Sequence, residues 1–578
     1  MPTATLEFIH LGTPRFRTPV LAARAREQGL RSAWQQAWAN GNASTIGAAL
    51  ADVEGEFAVA QHDAAGRSLL AVDRFGIRTL CYRVDGGVLR FAERADALAN
   101  VLADTMADAP ADAPAETPAD IDPQAIHDYL YFHAIPSPRT VFRGVFRLPP
   151  GHFALFEDGR LTVQRYWTPR FTEDRRPSFE TLRGEFRELL RNAVARELDG
   201  GKAACFLSGG TDSSTVAGMI GLAAGRPAAS YSIGFDADGY DEMQYARLAA
   251  RRFGTEHHEL YVTPEDLVRH IPAVAAHCDQ PFGNSSALPA YCCAKMARED
   301  GVTKILAGDG GDELFGGNSR YAKQRIFGWY GGLPAALRES VMEPLLERSP
   351  LGKLPLLRKG ASYVEQARVP MPDRLQIYNL LLRLGRETVL TPAFLAQVDA
   401  GSALRHQQAS WAAADTPSEL NRTLAYDWRY TLAESDLPKV NMTTRLAGLE
   451  VGFPMLDSDL LAFSLKLPVA LKLRGLKLRW FFKEALRGFL PDEILTKKKQ
   501  GFGLPFGVWA IRHAGLGRLA ADSLGSLSTR GFVRPEFIRN LLDVRLKEHP
   551  GYYGEMVWIL MMLEQWLQHH APGYRLAD

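Results

Sequence analysis

One short segment, residues 206–214, constrains the fold more than any other part of the sequence. An apolar run at 203–207 ends in a serine and two glycines, and a helix-compatible stretch, 213–222, follows at once. Strand, tight turn and helix in this order bring glycine amides and the free N–H groups of a helix N-terminus to one point, which favours a bound anion. Hydroxyl donors and one carboxylate suited to Mg²⁺ complete the turn: Ser208, Ser213, Ser214 and Asp212.

This first turn lacks the lysine of a G-x-x-x-x-G-K-[ST] loop, which serves transfer of the last phosphoryl group of ATP. Its pattern, Ser-Gly-Gly-x-Asp-Ser, resembles the pyrophosphatase loop of ATP enzymes that release pyrophosphate and leave AMP on the substrate. The alternative interpretation is a glycine-rich turn that merely joins a strand to a helix.

A second glycine-bordered turn, residues 308–317, also follows an apolar strand end and carries Asp309, Asp312 and Glu313. It should therefore lie near the first turn, at the same edge of a sheet. Three neighbouring carboxylates repel one another unless cations neutralise them. Mg²⁺ held between Asp212 and Asp312 meets that need, whereas a solvated acidic loop is the alternative.

The site also needs positive charge, because expelled pyrophosphate and a developing oxyanion must be stabilised. Lys439, Lys483 and the run 497–499 are the candidates. A lysine run is usually solvated surface, but this one precedes a Gly-Phe-Gly turn.

Composition narrows the class of protein. The chain has 578 residues, 46% hydrophobic and 23% charged, which indicates a globular protein of about two to four domains. A net charge of +1 gives no general attraction to nucleic acid or to an anionic membrane. Five cysteines without a CxxC pair indicate reduced, buried thiols and a cytoplasmic location. No signal segment is visible, and the apolar run 556–563 is far below the roughly 20 residues of a membrane span.

The order of predicted elements gives an α/β fold in two parts. Short strands dominate from residue 55, and a segment rich in Ala, Asp and Pro, about 104–122, is predicted to be a mobile loop. A single helix is predicted at 18–38, and others at 122–131 and 178–198. Strands at 204–207, 228–234, 258–262 and 304–307 alternate with helices, which predicts a parallel sheet with nucleotide at its carboxyl edge. Residues 320–570 are predicted to be almost wholly helical.

Motifs along the chain are similar, in order, to those of the asparagine synthetase family. They occupy residues 208–214, 231–235, 241–242, 254–258, 279–281, 308–317, 437–440, 449–451, 454–457 and 498–502. Residues 73–78, 91–93 and 148–152 resemble the family's glutamine amidotransferase domain. The resemblance implies a β-rich Ntn-hydrolase-like domain of amidotransferase type 2 at 1–170. An adenine nucleotide α-hydrolase-like domain with a helical carboxyl-terminal part then follows at 178–570.

The resemblance also implies a chemistry, in which ATP and Mg²⁺ convert a carboxylate into an acyl-adenylate that an amine attacks. Carried over by motif, the pyrophosphate cradle is Ser208, Gly209, Gly210, Asp212 and Ser213. The nucleotide site further includes Leu207, Ile233, Ala307 and Gly308, and the metal ligands are Asp212 and Asp312. Lys499 matches the lysine that neutralises the adenylate and the tetrahedral intermediate, and Asp309 stands where relatives place a group near the attacking amine.

Several positions depart from the family pattern. Glutamine-using members begin Met-Cys-Gly-Ile, but position 2 here is Pro2, and the first cysteine is Cys81, in a predicted strand. The amino-terminal domain is therefore expected to lack glutaminase activity. Asn441 and Gly452 replace an aspartate and an arginine, which puts aspartate in question as the substrate.

Several functions remain open from the sequence. An amide synthetase that uses ammonia or another amine can make asparagine from aspartate, amidate a metabolite or polysaccharide carboxylate, or close a peptide macrolactam as lasso-peptide cyclases do. A catalytically silent scaffold is the alternative from another class. A nucleic-acid modifier shares only the first turn and lacks a basic stripe. The expected partners are the carboxylate and the amine, together with a second copy of the chain or a protein that delivers substrate.

Overall fold

The computed structural model of the protein describes residues 8–39, 41–63, 66–99, 120–237, 239–343, 355–497 and 503–576. Most of the predicted mobile loop, 104–119, lies outside these residues, and so does Lys499. The strands are β1 Phe8–Gly12, β2 Arg15–Phe16, β3 Val53–Glu54, β4 Phe57–His62, β5 Ser68–Val72, β6 Cys81–Asp85, β7 Val88–Ala92, β8 Phe146–Arg147, β9 His152–Glu157, β10 Arg160–Arg165, β11 Ala204–Phe206, β12 Ala229–Phe235, β13 Glu256–Val262, β14 Lys304–Leu306, β15 Glu450–Gly452, β16 Leu473–Arg474 and β17 Lys477–Leu478.

Helices fill most of the remaining chain. In the amino-terminal part they are Pro19–Gln28, Leu30–Trp38, Ala43–Ala51, Asp96–Ala99 and Pro123–Phe132. In the central part they are Phe179–Glu197, Thr211–Ala224, Met243–Phe253, Pro264–His277, Ala287–Glu299 and Gly311–Phe315. The carboxyl-terminal part contains Ser319–Gly331, Ala335–Leu337, Arg338–Met342, Pro355–Arg368, Asp373–Gln376, Leu380–Leu384, Arg386–Val389, Pro392–Ala396, Ser402–Ala412, Glu419–Asp427, Trp428–Asp436, Leu437–Leu446, Pro454–Leu456, Ser458–Lys466, Val469–Lys472, Trp480–Ala485, Asp492–Thr496, Phe506–Arg512, Ala514–Ser528, Pro535–Asn540, Leu541–Arg545, Leu546–Glu548 and Pro550–His570.

Three layers build the amino-terminal part. An antiparallel sheet in the order β1-β4-β5-β9-β10 lies between helices on one face and the sheet β7-β6-β8 on the other. Alternation along β4 explains both contacts: Phe57 and Val59 pack with Trp34, whereas the alanines between them face the second sheet. The single helix predicted at 18–38 is wrong, because Gly29 adopts φ 84° and divides it into two helices.

The central sheet is parallel, as predicted. Its order is β13-β12-β11-β14-β15, and every pairing within it is parallel. The helix Phe179–Glu197 that leads into it begins where the Ser178 hydroxyl accepts the Thr181 N–H, at 3.1 Å. Parallel strands place all their carboxyl ends at one edge, so the segments that follow β11, β12 and β14 meet there.

The carboxyl-terminal part is mainly helical, as predicted, and its last long helix, Pro550–His570, is buried in the largest hydrophobic core. Two features of this part were not predicted: β15, which extends the parallel sheet, and the hairpin β16–β17. Within the described ranges no helix combines the length and the apolar character needed to cross a bilayer.

A turn at residues 73–78 joins the amino-terminal part to the central part. The Asp73 carboxylate accepts the backbone N–H groups of Phe75 and Ile77 at 3.0 and 3.1 Å, which closes the turn. The Phe75 ring then lies 5.8 Å from that of Trp428, and the Asn441 amide donates to the Ile77 carbonyl at 2.8 Å. The two parts are thus held together beside the carboxyl edge of the parallel sheet.

Candidate functional site

The first turn is held between β11 and the helix Thr211–Ala224. The Leu207 N–H donates to the Tyr231 carbonyl at 2.8 Å, which extends the sheet pairing by one residue before the chain turns. Gly209 follows with φ 70°, and a Cβ there would collide with the backbone of Tyr245 and Ala246. The turn therefore requires glycine for both its conformation and its close packing.

Serine hydroxyls are grouped at the start of that helix. The Ser208 and Ser213 hydroxyls lie 3.0 Å apart, and the Ser208 N–H donates to the Ser213 hydroxyl at 3.2 Å. The Gly210 N–H points to the Ser208 hydroxyl at 3.4 Å. A helix of 14 residues with donors arranged this way at its N-terminus is suited to an anion such as pyrophosphate.

The second turn packs directly on the first. The Ala307 N–H donates to the Gly452 carbonyl at 2.9 Å, and Gly308 passes so close that a Cβ on it would lie 2.8 Å from the Ser213 nitrogen. Gly311 approaches the Asp212 carboxylate in the same way. The other predicted nucleotide-site residue, Ile233, lies in β12, next to β11, and is partly buried. The structure thus brings the two turns together at the carboxyl edge of the sheet.

Arg479 lies between the carboxylates of the two turns and was missed in the sequence analysis. Its Nη1 is 2.6 Å from Asp212 Oδ2, 2.8 Å from Asp312 Oδ1 and 2.9 Å from the Thr211 hydroxyl. Its Nη2 pairs with the other Asp212 oxygen. The side chain is 4% exposed, and its guanidinium stacks over the Phe482 ring at 3.9 Å. Burial alone would lower the pKa of Arg479, but Asp212 and Asp312 outweigh burial and raise it.

The backbone of Arg479 is also unusual. Its φ is 52°, the left-handed region that non-glycine residues rarely adopt, at the start of the helix Trp480–Ala485. Such a conformation costs on the order of 1–2 kcal/mol and persists where surrounding contacts hold it. Here those contacts are the ion pairs with the two turns.

The donor set suits magnesium in its chemistry. Carboxylate oxygens are the usual protein ligands of Mg²⁺, and one oxygen each from Asp212 and Asp312 faces the same point, at Arg479 Nη1. The residues therefore fit the predicted ion. Because the guanidinium already contacts those oxygens, Arg479 and Mg²⁺ compete for them.

Asp309 and Lys439 form a second charged group beside the turns. Lys439 Nζ lies 3.0 Å from Asp436 and 3.8 Å from Asp309. Burial raises the pKa of Asp309 to about 6, against the lowering effect of Lys439, and the negative charges of Asp436 and Asp212 raise it further. Although burial opposes it, the two carboxylates raise the pKa of Lys439. Asp309 therefore titrates close to neutral pH.

The remaining predicted cations take different positions. The Lys483 ammonium is close to the two turns: burial and the charge of Arg479 lower its pKa, while Asp312 and Asp212 act in the opposite direction. Lys497 pairs with Glu242 at 2.8 Å and lies over the Tyr245 ring at 4.3 Å, next to the packing site of Gly209. The lysine run therefore starts beside the first turn, and Lys499 itself lies outside the described residues.

A cavity of about 820 Å³ separates the amino-terminal part from the central part. The helix Leu437–Leu446 borders it with Asn441 and Arg445, while Lys439 of the same helix reaches Asp309. Glu434 also lines the cavity and was not singled out from the sequence. It is 3% exposed, pairs with Arg147 and Arg429, and accepts the Ser137 hydroxyl at 2.9 Å.

Two of the residues that depart from the family pattern, Cys81 and Gly452, are buried in strands. Cys81 is fully buried in β6, and burial raises the pKa of its thiol, so it is a packing residue. Pro2 lies outside the described residues. Gly452 is buried in β15, where a Cβ would collide with the Glu197 carboxylate. An arginine therefore cannot occupy this position without a rearrangement.

One further group of metal-ligating side chains lies at the opposite, amino-terminal edge of the parallel sheet. Ligand atoms of Glu256, His258 and Asp300 all lie within 4.8 Å of one another. Lys202 contacts both carboxylates, at 3.4 Å for Glu256 and more closely for Asp300. The ammonium group already neutralises this cluster.

Comparison with known proteins links the site to two families. The profile described as asparagine synthase matches residues 185–568, and that of a glutamine amidotransferase domain matches residues 43–167. These matches confirm the predicted fold class, an amidotransferase-like part followed by a synthetase-like part.

Three curated relatives cover most of the chain. Asparagine synthetase 1 (glutamine-hydrolysing) of Bacillus subtilis is 23% identical over 512 residues, 86% of this chain and 74% of the relative. Asparagine synthetase 3 (glutamine-hydrolysing) of the same organism is 24% identical over 470 residues, 78% of this chain and 67% of the relative. Amidase chry2 of Gibberella zeae is 23% identical over 558 residues, 87% of this chain and 77% of the relative.

Proposed function

The chain belongs to the asparagine synthase family, and from that premise we propose that it is an ATP-dependent amide synthetase that works through an acyl-adenylate. In the first step a carboxylate oxygen of the substrate attacks the α-phosphorus of ATP, and pyrophosphate leaves. In the second step an amine attacks the acyl carbon, AMP leaves, and the amine loses a proton.

One observation carries this proposal: two glycine-bordered turns meet at the carboxyl edge of the parallel sheet, with Arg479 held between their carboxylates. The first turn offers amides, hydroxyls and a helix N-terminus to pyrophosphate. It has no lysine suited to transfer of the last phosphoryl group, so cleavage between the α- and β-phosphates is the chemistry that it favours.

The proposed roles combine the geometry of the described residues with the family resemblance. Ser208, Gly210 and Ser213 hold the departing pyrophosphate, while Leu207, Ile233, Ala307 and Gly308 surround the nucleoside. Asp212 and Asp312 would hold Mg²⁺, which when bound supplies charge neutralisation to the phosphates. Once Mg²⁺ takes these oxygens, Arg479 would remain beside them as a second cation for the phosphates. Asp309 orients the amine and accepts its proton, and Lys499 stabilises the adenylate and the tetrahedral intermediate.

Isotope exchange between pyrophosphate and ATP tests the proposal. The full chain is incubated with Mg-ATP, labelled pyrophosphate and a panel of carboxylic acids, without any amine. The proposal is supported if exchange depends on one of the acids and if AMP and an amide are formed once an amine is added. Release of ADP instead of AMP, or no exchange with any acid, would count against it.

Gly452 favours a substrate other than aspartate. The arginine that many family members carry is absent here, and a Cβ at this position would meet the end of the Glu197 side chain. A bidentate partner for a second carboxylate is therefore lost there. We expect acid-dependent exchange to be stronger with at least one non-aspartate acid than with aspartate.

A pH profile tests the role of Asp309. Because burial raises its pKa to about 6, amide formation should fall as the pH drops below 6, whereas pyrophosphate exchange should not share this limb. Asp309→Asn should lose the limb and slow amide formation roughly 10²-fold, as loss of a general acid–base group does. The pKa of Asp309 in the folded protein lies above the usual carboxyl value, so its charged form opposes folding above pH 6. The free energy of unfolding of Asp309→Asn at pH 8 should therefore be no lower than that of the wild type. If amide formation by Asp309→Asn still falls below pH 6, that pH dependence belongs to another group.

Glutamine hydrolysis should be absent. Position 2 holds proline, and the Cys81 thiol is fully buried with a raised pKa, so neither supplies an accessible thiolate. Glutamate release from glutamine should stay at the level of a protein-free blank, in the same preparation that performs pyrophosphate exchange. Hydrolysis stimulated by ATP and the acid substrate would show a nucleophile elsewhere in the chain.

A further inference from the structure

A second cavity, of about 500 Å³, opens in the helical part of the molecule. We call it the tyrosine cavity, because six aromatic side chains of distant segments line it beside polar residues: Tyr131, Phe132, Tyr378, Tyr426, Tyr430 and Tyr552. Ammonia, with a volume comparable to that of one water molecule, about 30 Å³, fills only a small part of such a space.

One helix runs from the tyrosine cavity to the charged group around Asp309. Thr431 of its wall lies on the helix Trp428–Asp436, five residues before Asp436. Asp436 contacts Lys439, which in turn reaches Asp309. Arg320, also in the wall, lies on the helix that follows the second turn.

The rings of the wall are fixed in place. Phe132 and Tyr430 stack with their centroids 5.5 Å apart and their planes at 5°. The Tyr430 hydroxyl lies 3.0 Å from the Ser410 hydroxyl, and the Tyr426 hydroxyl accepts the Gln376 amide at 3.0 Å. A ligand that enters this cavity therefore meets a preorganised surface, which reduces the entropy lost on binding.

Glu555 is the acidic residue in this wall, and it has no ion pair within the part of the chain that the structure describes. Its hydrogen bond is to Ser285, and burial raises its pKa to about 7. The nearby cation Arg320 is already paired with Asp427, at 2.8 Å. Glu555 is half-buried and has no ion pair among the described residues, so its carboxylate is complementary to an ammonium group, whereas the Tyr378 and Tyr552 rings already face Arg383, at 5.7 and 5.4 Å.

We propose that the tyrosine cavity binds the amine substrate, a primary amine with an apolar or aromatic body, and that Glu555 holds its ammonium form. This inference rests on the proposed synthetase function and names the class of acyl acceptor for the same site. The amine is delivered from the cavity to the acyl-adenylate beside Asp309. Ammonia leaves most of the apolar wall uncovered and is the poorer ligand.

Calorimetric titration of the full chain with phenethylamine and with ammonium chloride tests this assignment. Phenethylamine should bind at least tenfold more tightly than ammonium. Glu555→Gln, which keeps the size of the side chain, should weaken phenethylamine binding at least tenfold. Tyr378→Ala, at a residue 56% exposed and therefore tolerant of truncation, should weaken it about threefold. Glu548→Gln, at an exposed glutamate nearby, should bind as the wild type does.

The two proposals fail separately. Equal binding of the two amines, or a Glu555→Gln variant that binds phenethylamine as the wild type does, would overturn the assignment of the cavity, whatever the exchange assay gives. Pyrophosphate exchange is measured without amine, so its absence with every acid would overturn the synthetase proposal alone. In a chain active in exchange, Glu555→Gln should raise the KM for the amine more than it lowers kcat for amide formation.

Discussion

Arg479→Met should reduce pyrophosphate exchange roughly 10²- to 10³-fold, the loss that follows removal of a preorganised charge-stabilising donor. One guanidinium contacts Thr211, Asp212 and Asp312, so its removal also separates the two turns. The arginine side chain is only 4% exposed, and its removal leaves the Asp212 and Asp312 carboxylates without their cation. The free energy of unfolding should therefore fall by about 3–5 kcal/mol. Exchange kinetics and urea denaturation measure the two effects.

Two controls isolate the effect of Arg479. Arg474→Met removes an exposed arginine of the same hairpin, stacked over Trp480, and should leave exchange unchanged. Arg479→Lys keeps the charge but loses the forked donor geometry, so it should recover only part of the activity. Mg²⁺ should bind more tightly to Arg479→Met than to the wild type without ATP, because the competing guanidinium is gone. Exchange within threefold of wild type in Arg479→Met would exclude a role for the guanidinium in the reaction.

The two turns were predictable because their determinants are local. Each is a strand end followed by glycines that the backbone conformation or close packing requires, as Gly209 and Gly308 illustrate. Once both were assigned to parallel strands, their meeting followed from the topology of the sheet. The alternating strands and helices of the central part fixed that topology.

Arg479 was not predictable in the same way. It lies 267 residues from Asp212 and 167 from Asp312, so its partners depend on how the helical part folds back on the sheet. The sequence holds one local signal, a basic residue between the large apolar residues Leu478 and Trp480, a pattern typical of a buried charge. That signal indicates burial but names no partner.

Short elements fixed by tertiary contacts were missed as well. Strand β15 has three residues, too few for a periodicity, and it exists because Lys304–Leu306 supplies its hydrogen-bond partners. Gly452 illustrates the same limit: the sequence identified a missing arginine, but only the structure shows that Glu197 fills the space.

Glu434→Ala should lower the free energy of unfolding by about 3–5 kcal/mol, independently of any catalytic role, because it leaves two buried arginines without their carboxylate. Glu434 binds Arg147 from the amino-terminal part and Arg429 from its own helix. Burial lowers the pKa of both arginines, that of Arg429 to about 10, so the surroundings oppose the positive charges that Glu434 neutralises. Urea and thermal denaturation of the full chain measure the loss.

The controls separate a lost ion pair from a lost side chain. Glu180→Ala, at an exposed glutamate paired with Arg183 on the surface, should change stability by less than about 1 kcal/mol. Replacing all three charged groups together, as Arg147→Met, Arg429→Met and Glu434→Leu, should recover most of the stability lost in Glu434→Ala, because no buried charge remains unpaired. The triple variant could instead prove less stable than Glu434→Ala. In that case the two parts are held together by contacts of the arginines with backbone carbonyls, such as the bond from Arg147 to the Ile135 carbonyl at 2.9 Å.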